Sequence, residues 1–97
     1  MDITPTEGGF KIVGELDMAT ADQLRTALEG WDRTGVLVLD VSELGFMDSS
    51  GLRVLLEVIG SRNGDEAVIK LLHPTSQVRK VLGISVPGGM RGLEVEP

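Results

Sequence analysis

The chain has 97 residues, enough for one small domain with a thin stability margin and too few for a large catalytic cleft beside its core. It has no cysteine, which excludes disulfides, Cys-based metal sites and Cys nucleophiles, and a lone His73 cannot make a metal cluster by itself. A formal net charge of −6, with one Trp, two Phe and no Tyr, disfavours nucleic acid and anionic membrane surfaces and leaves a basic protein partner open.

In chain order, Asp2–Thr6 is short and β-prone, and Pro5 limits it to an edge. Glu7-Gly8-Gly9 reads as a turn, and Phe10–Leu16 as a second strand with Phe10, Ile12 and Val13 apolar, so residues 1–16 form a hairpin. Thr20 with Gln23 three residues later matches a capping box. Ala21, Leu24, Ala27, Leu28 and Trp31 then fall at helical spacing, and Gly30 and Gly35 bracket the exit.

Val36–Val41 is nearly continuous in apolar β-branched and Leu residues, the pattern of a strand buried on both faces in the middle of a sheet. Ser42–Met47 reads as a loop. A second helix starts near Ser49-Ser50 and runs to about Ser61, with Leu52, Leu55, Leu56 and Ile59 as its stripe. Arg62–Asp65 is a turn and Ala67–Leu72 a strand. Pro74 stands where a first helical residue would, and Val78, Val81 and Leu82 mark a short third helix. Gly83–Gly92, with four glycines and one proline, reads as a loop, and Leu93–Glu96 as a last, short edge strand.

Strands alternating with helices predict the α/β class: one mixed, mostly parallel sheet of four to five strands, with the helices on one face. A single domain over 1–97 is expected, divided into the hairpin 1–16, a core 17–82 and a glycine-rich C-terminal segment 83–97. Met1-Asp2 does not open like a signal peptide, and the longest apolar run, Val36–Leu39, is far too short to span a bilayer. The cytoplasm is therefore the expected compartment.

The segment richest in chemistry is Phe46-Met47-Asp48-Ser49-Ser50-Gly51-Leu52, where two hydroxyls and a carboxylate meet a helix N-terminus. Ser, Asp and Gly are favoured N-caps, so one reading is that a side chain here only stops the helix from fraying. The other uses the same geometry. A helix N-terminus has a partial positive charge and free N–H donors, so it tolerates a phosphate, and a phosphoserine adds about −1.5 to −2 of charge to the surface. A hydrolase nucleophile fits poorly: Gly-x-Ser-x-Gly is absent, and His73 would have to serve as base. No phosphate-loop or dinucleotide motif occurs, so no cofactor is implied.

Gly14-Glu15-Leu16-Asp17 is the second such segment. In an open parallel sheet its end and the end of Val36–Val41 share the carboxyl edge, where α/β sites form. Glu15, Asp17 and Asp48 would then lie near Ser49; the plainer reading makes them solvated surface acids.

Gly14-Glu15-Leu16-Asp17, Leu37-Val38-Leu39-Asp40 and Phe46-Met47-Asp48-Ser49-Ser50-Gly51-Leu52 together resemble the STAS-domain family of bacterial anti-sigma factor antagonists, over about Phe10 to Leu82. The resemblance implies a non-enzymatic regulator of transcription, with no catalytic residue. It binds an anti-sigma factor that is a GHKL-type serine kinase and so frees a sigma factor. The kinase inactivates it by phosphorylating one serine, and a PP2C-type phosphatase restores it. By the family pattern that serine is Ser49, with Ser50 as secondary candidate, and Glu15, Asp17, Asp48, Ser50 and Gly51 contribute to partner binding. The protein is expected as a monomer or weak dimer, the edge strand near Ile3 being the dimer contact to consider. Family members usually end with another helix after the last strand, whereas this sequence ends at Pro97. The alternative is a non-phosphorylated STAS scaffold subunit of a transport or signalling complex.

Overall fold

The computed structural model describes residues 1–31, 35–60, 68–85 and 92–96, with the backbone alone at 68 and 85. Strands β1 (Asp2–Thr6) and β2 (Gly9–Leu16) are followed by α1 (Ala21–Leu28), β3 (Val36–Met47), α2 (Ser49–Gly60), β4 (Val68–Leu72), α3 (Ser76–Ser85) and β5 (Leu93–Glu96). The sheet order is β1-β2-β3-β4-β5. β1 pairs antiparallel with β2, and every other pairing is parallel. The α/β expectation of a mixed, mostly parallel sheet therefore holds, with five strands. The expected Arg62–Asp65 turn lies outside the described residues.

The helices share one face of the sheet. Leu24 of α1, Leu55 of α2 and Val78 of α3 close on the same small space as Ile12, Leu39, Val41 and Leu71 of the strands. All of these belong to one buried cluster, which reaches beyond 17–82 to Ile12 and Leu16 on one side and Leu93 on the other. With three aromatics in the chain, aliphatic burial carries the fold, at about 1.5–3 kcal/mol for each fully buried Leu, Ile or Val. α2 packs between α1 and α3. That is why it buries Val54 and Val58 in addition to the stripe the sequence suggested, while Leu56 is only half-buried.

The opposite face of the sheet is open, which corrects the expectation for Val36–Val41. Leu37, Leu39 and Val41 point into the core, but Val36 is 50% exposed and Val38 and Asp40 are half-buried. Charged pairs cover this face: Lys11 with Glu43, and Lys70 with Glu96 at 3.4 Å. The Asp40 carboxyl is held below its ordinary range, first by the Ser42 N–H and then by the Ser42 hydroxyl.

Ser42–Met47 is not a loop but the second half of β3. Against β2 it carries two irregularities, between Lys11 and Val13 and between Gly14 and Glu15, and at each the longer strand has one extra residue. Burial after Val41 therefore falls at Val41, Leu44 and Met47, a spacing of three. A reading that looks for period two does not find a strand there. α3 likewise differs: Thr75, not Pro74, precedes its first turn, its C=O accepting the Arg79 N–H at 3.0 Å. The helix runs through Gly83, Ile84 and Ser85, and residues 86–91 of the expected glycine-rich loop lie outside the described residues.

Gly9 shows how tightly β2 and β3 approach. A Cβ there would overlap the Val38 carbonyl and come within 2.9 Å of its nitrogen. Backbone cannot yield as a flexible side chain does. Gly9→Ala should therefore cost at least ~1–3 kcal/mol by overpacking, lowering Tm by roughly 4–8 °C per kcal/mol for a domain of this size. Thermal unfolding followed by circular dichroism checks this.

Candidate functional site

β2 and β3 run parallel and end side by side, Leu16 opposite Met47. One residue later the Asp48 N–H donates to the Leu16 C=O at 3.2 Å. The chain then enters α2 with no intervening loop. Asp48 Oδ1 accepts the Ser50 N–H at 2.8 Å and the Gly51 N–H at 3.2 Å, and the Asp48 C=O accepts the Leu52 N–H at 3.2 Å. Asp48 is therefore the N-cap of α2. Ser49 and Ser50 stand within the first turn, Ser49 exposed and Ser50 half-buried.

Gly51 is fixed by its neighbour. A Cβ there would lie 2.5 Å from Leu16 Cγ and 3.1 Å from the Leu16 C=O. The first turn of α2 thus sits directly on the end of β2, joining the Gly14–Asp17 and Asp48–Leu52 segments.

Asp17 organises the other half. Its Oδ1 accepts the N–H of Ala19 at 2.9 Å and of Thr20 at 3.2 Å, and its C=O accepts the Ala21 N–H at 2.8 Å. The Thr20 hydroxyl donates backward to the Glu15 C=O at 2.8 Å and accepts the Asp17 N–H at 2.9 Å. The expected Thr20–Gln23 capping box does not form. Thr20 makes no side-chain cap, and Gln23 donates its amide to the Met1 C=O at 2.8 Å. The turn after β2 uses up the Thr20 hydroxyl, leaving Asp17 to satisfy the helix entrance. Glu15 is exposed on β2, paired in register with Phe46.

A family model described as Mlab, STAS domain matches residues 1–88. The chain belongs to the STAS domain family. A solved structure of a Thermotoga maritima protein described as an anti-sigma factor antagonist is similar in fold, with 16% identity and a TM-score of 0.73 over 99% of this chain and 85% of that one. The anti-sigma factor antagonist SpoIIAA in its unphosphorylated form is similar too, with 22% identity and a TM-score of 0.66 over 97% of this chain and 84% of that one.

In this STAS domain the two motif segments converge on one edge of the sheet. Met18 is not singled out by the sequence, and Phe46 figures there only within its motif; Met18, 80% exposed, directly follows Asp17, and Phe46, 38% exposed, precedes Met47 on β3. Met18 is next to Asp17 in the chain, and Phe46 is in register with Glu15, so apolar and acidic side chains alternate along this edge. His73 does not join Ser49. It follows Leu72, which is level with Asp40 on β3, well before that strand reaches Met47. A groove of about 540 Å³ lined by Gly9, Phe10, Trp31 and Val36 lies at the opposite, amino-terminal ends of β2 and β3. Among the described residues no group of three His, Asp or Glu could hold a metal ion, and no helix is long and apolar enough to cross a membrane.

Two residues of α3 and its entrance also reach this edge. Thr75 Oγ1 donates to the Leu44 C=O at 3.1 Å. Gln77 Oε1 accepts the Met47 N–H at 2.7 Å while its Nε2 donates to the Met47 C=O at 2.9 Å. A polar residue in an amphipathic helix gives no sign in sequence of which backbone it will meet.

The cap makes a testable difference between two substitutions. Asp48→Ala strands the Ser50 and Gly51 N–H groups and should cost about 1 kcal/mol, whereas Asp48→Asn keeps an acceptor and should cost little. Denaturant unfolding of both variants at constant m-value separates them.

Proposed function

We propose that this STAS domain is an anti-sigma factor antagonist. It binds an anti-sigma factor of the GHKL serine-kinase type and thereby frees a sigma factor. Phosphorylation of Ser49 switches it off, and a PP2C-type phosphatase resets it. It acts in the cytoplasm as a substrate and regulator with no catalysis of its own. Glu15, Asp17, Asp48, Ser50 and Gly51 form the docking edge, with Ser50 the secondary acceptor.

The observation that carries this reading is the division of labour between Asp48 and Ser49. Asp48 occupies the Ser50 and Gly51 N–H groups, so the cap does not need Ser49. The Ser49 side chain is exposed, and among the described residues nothing takes up its hydroxyl. A kinase could reach it without unfolding the helix. The sequence alone suggested free N–H donors that would cradle the phosphate; with Asp48 seated on two of them, a phosphate on Ser49 instead stays at the surface beside a carboxylate. Its roughly −1.5 to −2 charge and its bulk then act on whatever docks there, leaving the fold intact.

A second reading has one observation in its favour. The matching family model is described by the name Mlab, not as an anti-sigma factor antagonist. Under that reading the chain is a non-phosphorylated scaffold subunit of a transport or signalling complex, and Asp48-Ser49-Ser50-Gly51 is a helix cap only.

Intact mass of the protein isolated from its own cells, resting and stressed, with the site mapped by fragmentation, decides between them. One phosphate on Ser49 whose occupancy changes with conditions supports the switch; no phosphate under any condition supports the scaffold. Ser49→Ala should be permanently active and lose the phosphate, with stability within ~0.5 kcal/mol of wild type because Asp48 holds the cap. Ser49→Asp should bind the anti-sigma factor at least about tenfold more weakly, close to 1.4 kcal/mol. Equal affinity by titration calorimetry would count against charge as the switch.

A further inference from the structure

The carboxyl half of β3 has lost its neighbour on one side. β4 pairs with β3 only from Val36 to Asp40, so from Val41 onward no strand among the described residues lies on the β4 side of β3. That half leads straight into Asp48 and Ser49. On the other side β2 follows it to the end, Leu16 opposite Met47.

α3 fills the gap with side chains. The Gln77 carboxamide both accepts from the Met47 N–H at 2.7 Å and donates to the Met47 C=O at 2.9 Å. A carboxamide has the donor and acceptor of a peptide group, so this paired contact reproduces what an adjacent strand would supply. Thr75 Oγ1 makes a further contact, to the Leu44 C=O at 3.1 Å. Met47 is buried and one residue from the N-cap, so its backbone has little freedom left once both sides are bound.

We propose that Gln77 is a positioning residue for the phosphoacceptor. By clamping the Met47 peptide groups from the side opposite β2, it fixes the strand-to-helix turn and hence the direction in which Ser49 is presented. This rests on the reading of Ser49 as the acceptor. Gln77 itself need not touch the kinase. Its effect falls on the chemical step, where small misplacements of the accepting oxygen are costly.

The test uses the full chain and two variants. Gln77→Met keeps the length and volume of the side chain and removes both hydrogen bonds. Gln77→Glu keeps an acceptor for the Met47 N–H and, ionised, has no donor for the Met47 C=O. Amide hydrogen exchange by NMR needs no kinase. Gln77→Met should raise Met47 exchange about tenfold, with Ile69 and Leu71 in β4 unchanged, because the opening is local. Gln77→Glu should return part of the Met47 protection, and it carries the same test should Gln77→Met fail to fold. With the kinase identified through the Ser49 experiment above, kcat for Ser49 phosphorylation should fall about tenfold in Gln77→Met while KM stays within about twofold, the pattern of a group acting on the transition state and not on binding.

Unchanged exchange at Met47, a uniform rise across the sheet, or a change confined to KM would each overturn the proposal. Wild-type protein that takes no phosphate overturns the acceptor reading and Gln77's role in transfer with it. A clamp that fails at Met47 in protein whose Ser49 is phosphorylated overturns the positioning role alone.

Discussion

Leu16 ties the structure together at the edge where α2 begins. Its carbonyl receives the Asp48 N–H, and its side chain, 1% exposed, fills the volume that any Cβ on residue 51 would need. One residue thereby fixes the end of β2, the end of β3 and the first turn of α2. The glycine at 51 follows from that contact, since a larger residue would push the helix off the strand. Asp48 can then reach the Ser50 and Gly51 N–H groups, and Ser49 is left on the outside of the turn. The exposure of Ser49 is a consequence of packing beneath it.

The rest of the sheet is arranged around the same edge. β3 is the long strand, and two irregularities let its residues 38–47 run beside the eight of β2 without losing the pairing at Leu16 and Met47. Beyond Asp40 its other side is held by Thr75 and Gln77 instead of a strand. α3 is thus in direct hydrogen-bonded contact with the residue before the cap.

A domain of this size has limited means of control. It has an aliphatic core with no buried charged or polar residue among the described ones, so there is no interior group to titrate. Marginal stability also makes large conformational switching hazardous, because the unfolded state lies only a few kcal/mol away. A charge added to an exposed side chain, outside a cap that is already satisfied, avoids both difficulties. Met18 and Phe46 leave apolar area exposed on the neighbouring surface, and Glu15 and Asp17 make it acidic.

Much of this was legible in the chain. Apolar spacing at Leu24 and Leu28 and again at Leu52, Leu55 and Ile59 specified the helices, and the β-branched runs specified β3 and β4, because burial on one side leaves a fixed period in sequence. The Asp48–Leu52 segment declared a helix start for the same local reason, since only a few residue types satisfy the N–H groups there. What sequence could not decide depended on which segments become neighbours. Ser42–Met47 hid as a loop because the irregularities against β2 changed its burial period from two to three. The Thr20 hydroxyl was taken by the turn that follows β2 and left no capping box. Asp48, and neither serine, became the cap once Leu16 had fixed the strand end beneath it. Gln77 had no local signature at all: thirty residues separate it from Met47, and only the early end of β4 makes room for its carboxamide to stand in for a strand. Hydrogen-bonding capacity is written into each residue, but the choice of partner belongs to the assembled fold.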